Sequence, residues 1–117
     1  MRLLLAFIRA GRLDALLDAL GEHHVQGLSV SRCEGFGQEH DLRHPEHRNH
    51  LGVDLTEKVR IELVCREEDV EDLLKTLYEV LHTGRAGDGK VFVLPVLDVF
   101  RLKTRERGPE ALGPSNH

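Results

Sequence analysis

The stretch HTGRAGDGKVFV at residues 82–93 decides the fold and carries the strongest functional signal in the chain. Its three glycines, Gly84, Gly87 and Gly89, permit positive φ angles and a close approach of the backbone to a ligand. A helical pattern of apolar residues precedes these glycines, and a strand-like apolar run, VFVLPVL, follows them. The sequence therefore predicts a helix-to-strand connection that is able to cradle a phosphate group.

The string GRAGDGK also matches the second half of the P-loop motif, G-x-x-x-x-G-K. A P-loop, however, follows a strand, opens a helix and continues with Ser or Thr after its lysine. Here the helix comes first, the strand comes second, and Val91 follows Lys90. This order argues against a P-loop nucleotide hydrolase. A glycine-rich turn without any ligand remains an alternative on the evidence of this stretch alone.

Length and composition limit the function classes that the chain can serve. Its 117 residues suffice for one domain, and the net charge of −4 argues against a nucleic-acid partner. The apolar run at the start ends at Arg9 with no small-residue cleavage site after it, so no signal peptide is predicted. No apolar run is long enough to span a bilayer. We expect a cytoplasmic protein that neither inserts into membranes nor binds nucleic acid.

The periodicity of apolar residues predicts four strands and two helices in the order β-α-β-β-α-β. The predicted strands are 2–8, 25–36, 58–65 and 91–99, and the predicted helices are 12–22 and 67–82. This order is typical of an α+β, ferredoxin-like sandwich. Between the second and third strands, residues 38–56 show no period and predict a long protruding loop of the kind that usually serves a function.

The first and last strands are apolar at nearly every position, as if both of their faces were buried. Two helices can cover only one face of the predicted sheet. The opposite face would then form a large exposed apolar patch, and such patches usually mark interfaces. The sequence therefore predicts an oligomer.

Four segments, in this order and at this spacing, closely resemble the PII family of nitrogen-regulatory signalling proteins. They are GFG at 35–37, EKVRIELV at 57–64, TGRAGDGKVFV at 83–93 and RLKTRERG at 101–108. The resemblance covers residues 1–108 as one PII-like domain and leaves 109–117 as a polar C-terminal tail. It implies a homotrimer without catalytic activity that binds ATP or ADP between subunits. It also implies a phosphate-binding loop at 82–90 and regulation of an enzyme or transporter through residues 38–56.

The resemblance further implies which residues contact the nucleotide. Backbone N–H groups of the glycine-rich loop would hold the phosphates, and two basic residues would reach across from the neighbouring subunit. The implied contact residues are Ser29, Gly35, Gly37, Gln38, Glu62, Val64, Arg85, Gly87, Asp88, Gly89, Lys90, Arg101 and Lys103, with Phe7 as an apolar wall. For Arg101 and Lys103 the alternative interpretation is a solvated basic tail.

A second effector, 2-oxoglutarate, is implied less strongly because the sequence departs from the family pattern. Lys58 matches the lysine that binds the 2-oxoglutarate carboxylate in typical members. Where those members carry Gln two residues after GFG, this chain has Glu39. A carboxylate there can ligate Mg²⁺ alongside ATP, but it repels a dianion. We therefore predict weak or absent binding of 2-oxoglutarate.

The protruding loop also departs from the family pattern. Proteobacterial members carry a modified tyrosine near the loop tip, whereas this chain has Leu51 there and its only tyrosine, Tyr78, lies in a helical pattern. The loop instead contains four histidines, namely His40, His44, His47 and His50. Their spacing suggests a site for Zn²⁺, Ni²⁺ or Cu²⁺, and the alternative function is a trimeric metal-binding module similar to copper-tolerance proteins. A plain polar loop that docks a protein partner is the other interpretation.

Overall fold

The computed structural model describes residues 1–23, 25, 27–35 and 55–113. The main elements are β1 (Arg2–Arg9), α1 (Leu13–Glu22), β2 (Ser29–Gly35), β3 (Thr56–Cys65), α2 (Val70–Leu81) and β4 (Lys90–Pro95). Their order confirms the predicted α+β, ferredoxin-like arrangement. None of the helices in the described ranges is both long and apolar enough to cross a membrane.

The four strands form one antiparallel sheet in the order β2-β3-β1-β4. The first strand of the sequence therefore lies inside the sheet, and β2 and β4 form its two edges. The register places Leu5 between Glu62 on one neighbouring strand and Phe92 on the other, while Ser29 lies opposite Glu62. Residues distant in sequence thus share rows that cross the whole sheet.

The hydrophobic core lies between the sheet and the two helices. Leu4, Ala6 and Ile8 alternate along β1 and are almost completely buried. The helical spacing of apolar residues in α2 buries Leu73 and Leu77 against the same face. Burial of each such side chain stabilises the fold by roughly 1.5–3 kcal/mol relative to exposure. Period-two and helical patterns in the sequence therefore meet in one core.

Two predicted strand boundaries were wrong by four residues, each for a physical reason, while β3 begins two residues earlier than predicted, at Thr56. β2 begins at Ser29 rather than at residue 25, because Val25 donates its N–H to the Leu20 carbonyl of α1 and packs against the core. β4 ends at Pro95 rather than at 99. Pro95 lies opposite Arg2, the first residue of β1, and among the described residues only the Val96 N–H continues this pairing, by donating to the Met1 carbonyl at 3.0 Å.

After β4 the chain forms a tight turn at residues 98–108, which we call the basic turn. Phe100 pairs with Arg107 in an isolated bridge, and the Gly108 N–H donates to the Val99 carbonyl at 3.1 Å. A short 3₁₀ helix, Gly108–Leu112, follows this turn, and its Ala111 is buried. The described part of the region C-terminal to the turn therefore packs against the domain.

Candidate functional site

The connection between α2 and β4, residues 82–90, is the most irregular part of the described backbone; we call it the glycine loop. Gly84, Gly87 and Gly89 adopt φ angles of 82°, 93° and 96°. Residues that carry a side chain rarely adopt such angles, so all three positions favour glycine. The loop therefore has the positive-φ geometry that the sequence predicts.

Gly89 is also fixed by contact with the sheet. A Cβ atom at this position would lie 2.3 Å from the carbonyl oxygen of Phe7, which is too close for any side chain. The next residue, Lys90, begins β4 and lies opposite Phe7 in the register. Only glycine therefore lets the loop join β4 at this point.

The carboxylate of Asp88 organises the first half of the glycine loop. Its Oδ2 accepts the N–H groups of Thr83 and Gly84 at 2.7 and 2.9 Å. Its Oδ1 accepts the Thr83 hydroxyl at 2.5 Å. These hydrogen bonds, led by the one from the Thr83 hydroxyl, hold the pKa of Asp88 far below its usual range. Asp88 therefore remains a charged, inward-facing acceptor.

Arg9, the last residue of β1, attaches this loop to the sheet. Its Nη1 donates to Asp88 Oδ1 at 2.7 Å, and its Nη2 donates to the Ala86 carbonyl at 2.5 Å. Both side chains are partly shielded from solvent. The sequence analysis did not identify Arg9 as a site residue, because no local pattern connects it to a loop 79 residues away.

The second half of the loop leaves its backbone donors available. Within the described residues, the N–H groups of Gly87, Asp88 and Gly89 donate to no acceptor. The N–H of Arg85, by contrast, donates to the Thr83 hydroxyl at 3.2 Å. The loop thus has one half closed on itself and one half with consecutive N–H groups, an arrangement that suits an anion.

Lys58 connects the glycine loop to the strands β2 and β3. It is 7% exposed, and its Nζ donates to the Gly87 carbonyl at 3.4 Å. On its other side, a Cβ at Gly35 would lie 3.2 Å from Lys58 Cγ. The structure therefore brings together three predicted site residues, Gly35, Lys58 and Gly87.

A second group of predicted residues lies on the sheet face opposite the helices. The register places Ser29, Glu62, Val64, Phe7 and Lys90 in three adjacent rows of this face. The ring of Phe7 contacts that of Phe92 edge-on, with centroids 6.5 Å apart.

Arg60 completes this surface. Its guanidinium carbon lies 6.0 Å from the centroid of the Phe7 ring, and its Nε lies 2.7 Å from Glu62 Oε1. The predicted adenine wall thus borders the glycine loop through Lys90, and the Glu62 carboxylate is already paired with a cation.

Arg101 and Lys103 lie in the basic turn, which is separate from the glycine loop and from the Phe7 surface. Arg101 pairs loosely with Glu106 at 3.7 Å inside the turn. Among the described residues, no hydrogen bond or ion pair joins this turn to the glycine loop. One chain alone therefore does not link the two basic residues to the rest of the predicted site.

A cleft of about 440 Å³ opens on the helix side of the glycine loop. Tyr78, which lies in α2 as predicted, stacks on His82 with ring centroids 4.6 Å apart. The lining residues are Ile8, Leu74, Leu77, Tyr78, Leu81, His82, Asp88, Gly89, Lys90 and Val91. The apolar walls of this cleft belong to the core, and its polar rim is the glycine loop itself.

Several predicted site residues lie outside the described residues. They are Gly37, Gln38, Glu39, His40, His44, His47, His50 and Leu51. Inside the described ranges, no group of three or more His, Cys, Asp or Glu side chains is placed to hold a metal ion. The Mg²⁺ and transition-metal sites therefore stay predictions.

Comparison with known proteins gives one consistent result. The family model for nitrogen regulatory protein P-II matches residues 1–106. Nitrogen regulatory protein P-II of Azospirillum brasilense is 36% identical over 112 residues, covering 96% of this chain and 100% of the relative. P-II 1 of Methanothermobacter thermautotrophicus is 38% identical, covering 96% and 97%. The crystal structure of Arabidopsis thaliana PII bound to citrate superposes with a TM-score of 0.76 at 32% identity, covering 97% of this chain and 91% of that one.

Proposed function

The chain belongs to the nitrogen regulatory protein P-II family, and from this premise we propose that it is a non-enzymatic signal-transduction protein with ATP or ADP as its effector. The observation that carries the proposal is the divided glycine loop. Its first half is closed by Asp88, and its second half offers the N–H groups of Gly87 and Gly89 beside Lys90. Consecutive backbone donors next to a cation are a general means of binding phosphate.

The purine base of the nucleotide is assigned to the sheet face next to the loop. Phe7 supplies an apolar wall there, and Lys90 lies opposite Phe7 in the register, so base and phosphates can contact one continuous surface. On the same face, Glu62 lies one row and Val64 two rows from Phe7 in the register, and the Glu62 carboxylate and the Val64 backbone are the polar groups that we assign to the base. An apolar wall with few polar groups is typical of a cofactor pocket.

We propose that the site is completed across the subunit boundary of a homotrimer. Leu97 and Leu102 are 98% and 89% exposed, and Phe92, Leu94 and Phe100 are also exposed. So many apolar side chains on one strand and its extension indicate a surface that another copy covers. Packing of the extension on a neighbouring subunit would bring Arg101 and Lys103 to that subunit's phosphates.

Two measurements test this assembly and its ligand. Light scattering at micromolar concentration should give three times the chain mass of 13.2 kDa; a monomer mass would contradict the trimer. Calorimetric titration should detect ATP and ADP, and Arg101→Ala should weaken ATP about tenfold or more, since a hydrogen bond to a charged group contributes roughly 1.5–3 kcal/mol.

The matched control for this titration is Lys75→Ala, which removes an exposed cation from α2 and should leave ATP affinity unchanged. The absence of ATP and ADP binding by the unaltered protein would refute the nucleotide function.

Regulation is assigned to residues 38–56, with an enzyme or transporter as the class of target. Capture of partner proteins with and without ATP tests that role, when the full chain is compared with a variant in which this segment is shortened.

For 2-oxoglutarate we expect weak binding even in the presence of Mg·ATP, and we expect Glu39→Gln to bind 2-oxoglutarate more tightly than the unaltered protein. Citrate belongs in the same titration, because the solved Arabidopsis relative is bound to it.

A further inference from the structure

We propose that Arg9 and Asp88 are positioning residues for polyphosphate, with Asp88 fixing the first half of the glycine loop and Arg9 cancelling its charge. The proposal rests on the proposed nucleotide function and concerns two groups that need not contact the ligand. It assigns a role to Arg9, which lies at the end of β1 and far from the loop in sequence. It also assigns the Asp88 side chain a role different from that of its backbone N–H.

The geometry shows that the Asp88 carboxylate is fully engaged by the protein. Thr83 donates twice, through its N–H and its hydroxyl, and Gly84 donates once. Arg9 completes the set at 2.7 Å and at the same time donates to the Ala86 carbonyl. The carboxylate thus occupies an anion site within the loop and fixes residues 83–86 from both sides.

The same arrangement raises an electrostatic problem that Arg9 solves. The backbone N–H of Asp88 is one of the donors available for phosphate, yet the side chain of the same residue carries a negative charge close to that N–H. An uncompensated carboxylate there would repel a ligand more strongly as the number of phosphates increases. A guanidinium bound directly to the carboxylate removes most of that repulsion.

Two neighbouring groups do not replace Arg9. His82 Nδ1 lies 3.8 Å from Asp88 Oδ2, beyond hydrogen-bond distance, and the ammonium of Lys58 contacts the Gly87 carbonyl instead. Within the described ranges, Arg9 is therefore the side chain that both pairs with Asp88 and anchors the loop to the sheet. The preference for more than one phosphate should depend on it.

The first test uses the protein without nucleotide. Amide hydrogen exchange is compared for Thr83 and Gly84 in the unaltered protein, Arg9→Ala, Arg9→Lys and Asp88→Asn. Exchange of both amides should accelerate about tenfold or more in Asp88→Asn and less in Arg9→Ala. The control is Arg2→Ala, which removes the ion pair with Glu67 at the other end of β1. Unchanged exchange in Asp88→Asn would overturn the positioning role.

The second test examines the charge-cancelling role of Arg9. The affinities for ATP, ADP and AMP are measured by titration in the same variants and in the double variant Arg9→Ala/Asp88→Asn. Arg9→Ala should weaken ATP about tenfold and AMP much less, whereas Arg9→Lys should retain most of the preference for ATP. The double variant should bind ATP no more weakly than Asp88→Asn, because no uncompensated carboxylate remains. Equal losses for ATP and AMP, or additive losses in the double variant, would overturn the charge role. Failure of the unaltered protein to bind any nucleotide would instead refute the proposed function, while the exchange data still decide the positioning role.

Discussion

The glycine loop and the basic turn are each organised by one aspartate, but they are attached to the domain in opposite ways. Asp88 accepts two backbone N–H groups and pairs with Arg9, 79 residues away on β1. Asp98 also accepts two backbone N–H groups, from Val99 and Gly108, and pairs with Arg107, nine residues away. One loop is fixed to the sheet, whereas the hydrogen bonds that the other makes with described residues all stay within it.

The two loops therefore differ in what holds them in place. The glycine loop is held by β1, one of the two inner strands of the sheet, through Arg9. The basic turn has its own internal hydrogen bonds, while Leu102 within it and Leu97 just before it face solvent in the single chain. Because its hydrogen bonds with described residues are all internal, the basic turn can pack against another subunit of the proposed trimer without breaking them.

The largest expected effect is that of Gly89→Ala, because this substitution disrupts the junction between the glycine loop and β4. The new Cβ would meet the Phe7 carbonyl at 2.3 Å, at a φ of 96°. We expect a loss of about 3 kcal/mol or more in the free energy of unfolding, measured by denaturant titration. Gly11→Ala is the matched control, since its Cβ would meet nothing within 4 Å, and it should change stability by less than about 0.5 kcal/mol. Similar losses in both variants would contradict the close approach.

An intermediate effect is expected on the pH dependence of stability. Hydrogen bonds lower the pKa of both carboxyls, chiefly from the Thr83 hydroxyl to Asp88 and from Arg107 to Asp98. Because the folded state favours the charged forms, this stabilisation is present above the ordinary carboxyl pKa of 3.8 and is lost as the pH falls below it. The free energy of unfolding should therefore fall less steeply between about pH 5 and about pH 2 in each Asn variant than in the unaltered protein.

Asp88→Asn should flatten this acid dependence more than Asp98→Asn, since the pKa of Asp88 is lowered further. Asp18→Asn, at an exposed position on α1, serves as the control. A steeper or unchanged acid dependence in Asp88→Asn would show that its hydrogen bonds do not favour the charged form.

The smallest expected effect lies in the basic turn, where Arg105 adopts a φ of 66°. Glycine adopts this conformation without the steric cost that other residues incur. Arg105→Gly should therefore raise the free energy of unfolding by about 0.5–1 kcal/mol, and thermal melting should detect the change. Lys103→Gly is the matched control, because Arg105 alone among the described non-glycine residues has a positive φ. A stabilisation of equal size in the control would remove the conformational explanation.

Much of the fold and part of the site could be predicted from local pattern. Alternating apolar residues in β1 and helical spacing in α2 gave the correct elements, because each pattern reports which side of one element is buried. The positive φ angles of the three glycines in the glycine loop could also be predicted, since tolerance of positive φ is a property of glycine itself. The end of β4 could not be predicted from its own sequence, because β4 ends at Pro95, opposite the first residue of β1.

The sequence by itself determined the order of elements, the family resemblance and the position of the glycine loop. Only the tertiary structure showed that Arg9 holds Asp88, that Gly89 meets the Phe7 carbonyl, and that Lys58 reaches Gly87. Each of these contacts joins residues that lie far apart in the chain, and each depends on the register between strands. Local alternation determines which face of a strand is buried, but a shift of two residues keeps the same face buried, so the pattern alone leaves the register between distant strands open.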